Sequence, residues 1–124
     1  MATASGALIA ESLRVPVTLA GTPLTIDKVV RAECGDVAVG QPPVWTFLEF
    51  HIDVEDVDSW ATQLSLALDE RLGWYCDFRT PDETFVVFAG RVFRYPRGDD
   101  RGRSAAAAHA RSVGVPEGQI DWPE

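Results

Sequence analysis

The chain has 124 residues, 46% of them hydrophobic and 24% charged, a balance that fits one folded domain over 1–124 and argues against a disordered chain. Its formal net charge of −8 excludes a general nucleic-acid binder, because neutralising phosphates needs a basic face. No apolar run reaches the roughly 18–20 residues of a membrane helix, the start MATASGALIAESLR lacks the basic region of a signal peptide, and Cys34 and Cys76, far apart in the chain, read as the reduced thiols of a cytoplasmic protein.

In chain order, residues 1–12 are small and polar with one apolar patch and read as loosely held. RVPVTL (14–19) reads as a short edge strand, since Pro16 removes a ladder donor. LTIDKVVRAE (24–33) reads as a second strand and CGDVAVGQPP (34–43) as a loop. VWTFLEFHIDV (44–54) is the clearest strand. Alternation puts Val44, Thr46, Leu48, Phe50 and Ile52 on one face, and Trp45, Phe47, Glu49, His51 and Asp53 on the other.

Residues 55–70 carry Val57, Trp60, Ala61, Leu64 and Leu68 at helical spacing, with Asp56 or Asp58 available as a cap. WYCDFR (74–79) reads as a strand that puts Trp74, Cys76 and Phe78 on one face and Tyr75, Asp77 and Arg79 on the other. Residues 84–95 read as a β-hairpin turning at Ala89-Gly90. The alanines of 103–113 predict a helix ended by Gly114 and Pro116, and 118–123 reads as a last short strand or an ordered tail. From residue 44 onward this order predicts a ferredoxin-like βαββαβ fold, an antiparallel sheet with two helices on one face and an N-terminal β-hairpin extension. The mixed aromatic face around Trp45 needs a cover: the N-terminal strands, a second copy or a partner.

WYCDFR (74–79), ETFVVFAGRVFRYPRGD (83–99) and SVGVPEGQIDW (112–122) together resemble a family of small, uncharacterised bacterial proteins. Those proteins carry a WY-x-DF strand, an apolar hairpin, an Arg/Asp loop and a helix ending in G-[IV]-P-E-x-Q-x-D-[FW]. The resemblance spans residues 74–122 and implies a compact α+β domain. It carries over no activity and no catalytic residue.

The candidate chemistry is sparse. Glu49, His51 and Asp53 share a strand side, where a histidine between carboxylates has its pKa raised and can act as a base. Asp77 reads first as a partner for Arg91 or Arg94 across the sheet. If the chain is an enzyme, His51, Asp77, Tyr75 and Glu49 are the residues to line a cleft. Cys34, His51, Cys76 and His109 lack zinc spacing, so neither a metal nor a cofactor is expected. Arg91, Arg94, Arg97, Arg101 and Arg103 cluster in sequence ahead of a helix, whereas residues 49–70 hold seven carboxylates and no Lys or Arg. Such arginines suit a small anion, or pair with nearby Asp and Glu.

Three functions follow as expectations. The first is an acidic accessory protein, immunity-like or regulatory, that docks on a protein partner or a second copy through Trp45 and Phe47. The second is a small α+β enzyme with a cleft at the sheet end or on the open sheet face. The third is an anion-binding module built on the arginine loop.

Overall fold

The computed structural model describes residues 2–35 and 37–122. The elements run β1 (Thr3–Ile9), β2 (Thr25–Glu33), β3 (Val44–Asp53), α1 (Val57–Ala67), β4 (Cys76–Arg79), β5 (Glu83–Phe88), β6 (Arg91–Pro96) and α2 (Asp100–Ser112). Short 3₁₀ turns lie at Ala10–Ser12, Val54–Asp56 and Glu117–Gln119. The six strands form one antiparallel sheet in the order β2-β3-β1-β4-β5-β6.

The α+β class is as expected, but the ferredoxin-like order is not. The helix α1 falls between β3 and β4, and no strand follows α2 among the described residues. The N-terminal residues make no hairpin extension either. Residues 3–9, read from sequence as loose, are the central strand β1, paired with β3 from Thr3↔Asp53 to Ile9↔Phe47. β2 takes the sheet edge beside β3.

The stretch 14–19 forms no strand and instead serves the end of α1. The amide of Arg14 donates to Ala67 O at 2.9 Å, its Nε donates to Leu66 O at 2.8 Å, and the amide of Asp69 donates to Ser12 O at 2.8 Å. The last carbonyls of a helix need such donors. Leu68 leaves the helix to bridge Leu13, which is why α1 ends earlier than the apolar spacing alone predicts.

The helices lie on opposite faces, not on one. Strand β5 shows this by alternation: Phe85 and Val87 pack with Trp60, Ala61 and Leu64 of α1, whereas Val86 and Phe88 pack with Ala106, Ala107 and Ala110 of α2. The α1 core also takes Ala4 and Leu8 of β1, Phe50 and Ile52 of β3, and Cys76 and Phe78 of β4. Phe50 and Phe78, both fully buried, each contribute about 2–3 kcal/mol of transfer free energy. The α2 core is smaller and takes in Tyr95 and, from beyond the helix, Val115 and Trp122.

Asp99 caps α2, its side chain accepting from the amide of Arg101 at 3.1 Å. At the other end, the amides of Gly114 and Val115 donate to Arg111 O and Ala110 O, the pair of bonds that turns a chain out of a helix. The chain then runs back across the sheet. Trp122 is anchored there, its Nε1 donating to the Tyr95 hydroxyl at 2.9 Å. Because α2 packs over β5 and β6, the same face of β4, β1 and β3 lies beyond its cover. No helix among the described residues is long and apolar enough to cross a membrane.

Candidate functional site

On that uncovered face, β1 and β4 pair only at Ser5↔Arg79 and Gly6↔Phe78. Past Gly6 this pairing ends, although the Cys76 thiol still reaches Ala7 O at 3.5 Å. A groove of about 240 Å³ lies on the open face there, with Ala7 and Ile9 on the β1 side and Tyr75 and Asp77 on the β4 side. Trp45, Phe47 and Trp74 form its aromatic wall, and Gly118, Gln119 and Asp121 of the C-terminal segment close it. A shallower depression of about 550 Å³ shares Ala7, Phe47 and Asp77 with it and extends to Asp27, Glu49 and Arg79.

The groove joins two segments distant in sequence, GWYCDF (73–78) and GVPEGQIDW (114–122). Gly73, at φ +69°, backs onto the Gly114–Val115 peptide, where a Cβ would come within 3.0 Å. Only glycine allows that approach at that φ without strain. Side chains finish the closure. Gln119 Nε2 donates to Gln41 Oε1 at 3.2 Å, and Gln41 Nε2 donates to Leu72 O at 2.6 Å. Tyr75 donates its hydroxyl to the carbonyl of Gln119 and packs edge-on against Trp122 at 5.3 Å.

The alternation of WYCDFR holds for Cys76 and Phe78, which enter the α1 core, and for Tyr75 and Asp77, which face the groove. It fails for Trp74. That residue precedes β4 and turns to the groove side, where its ring meets Trp45 edge-on at 5.2 Å. Trp45 is 7% exposed and its Nε1 donates to Pro42 O at 2.8 Å. It is a wall of the groove, not the protruding anchor that its position on the mixed face predicts. Phe47, half-buried beside it at 6.1 Å, lines the same wall.

Asp77 is the electrostatic centre. Burial pushes its carboxyl up to about 6, Asp121 adds to the rise, and Arg79 opposes it. It forms no ion pair with Arg91 or Arg94, the partners expected from sequence. Arg94 sits on the α1 face, bound to Glu83 at 2.7 Å and to Asp58 at 2.5 Å. Arg91 lies over the Phe93 ring at 4.7 Å. Burial also raises the Tyr75 hydroxyl well above its usual range, with the charges of Asp77 and Asp121 adding to it, so Tyr75 stays a neutral donor.

The other sequence candidates are spread out. His51 Nδ1 lies 2.8 Å from both carboxylate oxygens of Asp27 and is not part of the groove wall. Glu49 borders the shallower depression and faces Lys28 Nζ at 3.6 Å. Arg97 donates to Pro81 O at 3.4 Å. Arg101 adjoins Asp99 through its backbone amide, and Arg103 donates to Trp122 O at 3.3 Å. The arginines therefore do not converge on one cradle.

Cys34, His51, Cys76 and His109 are equally scattered. Cys76 lies in the α1 core, its thiol pushed well up by burial, and His109 packs on Phe88 at 4.6 Å. Both cysteines are free. Among the described residues no group of three or more His, Cys, Asp or Glu side chains could hold a metal ion.

Sequence reasoning names Tyr75, Asp77, Trp45 and Phe47 but misses Ala7, Ile9, Gln119 and Asp121. The aspartate of GQIDW is visible in the sequence. Nothing local shows that the tail returns to strand β4. Compared with family models, curated proteins and solved structures, the chain matches none.

Proposed function

We propose that the chain is a small acidic accessory protein, immunity-like or regulatory in kind, that docks on a basic protein partner through this groove. One observation carries the reading. Part of one sheet face lies outside the cover of α2 and forms an aromatic-walled groove with a half-buried carboxylate at its centre. A concave apolar site with a few convergent polar groups is where binding is expected, and a net charge of −8 steers such a face toward basic surfaces.

A second reading, a small enzyme, draws on Asp77 alone, because a carboxyl titrating near 6 is suited to general acid–base work. It lacks a second group: the Tyr75 hydroxyl is committed to Gln119 O and His51 to Asp27. The arginine-loop reading has no comparable support, since its side chains are engaged in separate places.

The test uses two variants of equal thermal stability to wild type. Ala7→Leu fills the groove from the β1 side. Leu66→Gln changes an exposed residue of α1 on the opposite face. In capture from the native host, wild type and Leu66→Gln should retain the same partner and Ala7→Leu should lose it. Retention by all three would remove the groove from the interface.

A further inference from the structure

The groove carries negative charge that the chain offsets only in part, through Arg79 acting on Asp77 without an ion pair. Asp77 and Asp121 both line it. Among the described residues neither carboxylate forms an ion pair, and the one side-chain donor near them is the Tyr75 hydroxyl, 3.4 Å from Asp121 Oδ1 and directed mainly to Gln119 O. Arg79 borders the shallower depression and not the groove itself. Nor is Asp121 loosely attached, since it lies between Gln119 and Trp122, both tied to the body of the protein. A half-buried carboxylate such as Asp77, with no ion pair and a second carboxylate nearby, is costly unless something arrives to pair with it.

Building on the docking reading above, we infer that the groove receives a single arginine side chain of the partner, its guanidinium between Asp77 and Asp121 and its stem against Trp45, Trp74 and Phe47. Size favours a slender ligand, since the walled part of the groove holds about 240 Å³. One long side chain fits that space. Charge decides against an anion, and the walls decide against a bare metal ion, which would need more oxygen ligands than two carboxylates supply. Guanidinium is the cation that both stacks on indole faces and offers forked donors to two carboxylates.

The probe is N-acetyl-arginine amide, compared with the citrulline amide, which has the same shape and no charge. Backbone amide signals are followed by NMR. Saturable shifts at Ala7, Trp74 and Asp77 are expected with the arginine probe, with the citrulline probe at least tenfold weaker. Asp77→Asn and Asp121→Asn should each weaken arginine binding about tenfold, the worth of one charge-assisted hydrogen bond. Asp121 is exposed, so its replacement keeps the fold intact if Asp77→Asn does not.

Equal binding of both probes, or shifts confined to Asp27 and Glu49, would overturn the inference. So would the absence of saturable shifts. If the arginine probe fails while Ala7→Leu still abolishes capture of the partner, docking stands and the arginine assignment falls. If Ala7→Leu retains the partner as well, both fall.

Discussion

Asp77 is held at a site that works against its charge. Its carboxyl is raised from 3.8 to about 6, first by burial and then by Asp121. The sign follows from proton binding. Between pH ~4 and ~6 the folded chain keeps a proton that the unfolded chain has released, so stability falls as pH rises through that window and then levels off. A rise of about two units corresponds to at most about 3 kcal/mol. Asp77→Asn removes the titration. In denaturant unfolding the variant should match wild type near pH 4 and exceed it by about 1–3 kcal/mol at pH 8. A variant less stable than wild type at pH 8 would mean that the ionised carboxylate is held by favourable contacts in the folded state. A residue whose replacement stabilises the fold is better explained by binding than by structure.

At the scale of elements, what was legible depended on side-chain size and on how local the partners are. β3, α1 and the β5–β6 hairpin were readable because Phe50, Ile52, Trp60, Leu64, Phe85 and Val87 are large apolar residues at the right spacing. β1 was not. Its inward residues Ala4, Gly6 and Leu8 are mostly small, because Phe50 and Phe78 pack over them, and TASGALI carries little strand signal. The misplacement of β1 is also the source of the wrong topology, since it is the strand that joins β3 to β4. The opposed helices were hidden for another reason. A β5 strand apolar on both faces, Phe85 and Val87 against Val86 and Phe88, does not say which helix covers which side.

The start of α2 shows propensity overruled by packing. Gly102 lies inside the helix, where alanine would ordinarily gain about 1 kcal/mol. A Cβ there would come within 2.3 Å of Tyr95 Cβ and 2.4 Å of its Cγ, atoms close to the backbone that cannot swing aside. Gly102→Ala should therefore destabilise by about 1–3 kcal/mol, seen as a lower melting temperature. Because Tyr95 holds Trp122, it should also speed hydrogen exchange in the segment that closes the groove. A higher melting temperature would show that α2 can move off the sheet at little cost.

For the whole molecule the question is whether the open face meets a second copy or something else. A two-fold dimer through this face sets each residue against its own counterpart region. Here that would bring Asp77, Asp121, Glu49 and Asp27 of one copy toward the same carboxylates of the other, on chains that each carry −8. Arg79 and Lys28 are too few to offset them. Like charges across an interface cost several kcal/mol, and physiological salt, with a screening length of about 8 Å, does not remove repulsion between groups in contact. Light scattering after size exclusion should therefore give a monomer at micromolar concentration and physiological ionic strength. A basic partner reverses the sign of every one of these terms, and its association should weaken as salt is raised. A dimer that Ala7→Leu dissolves would put a second copy in the groove, and neither the docking of a foreign protein nor the arginine assignment would survive it.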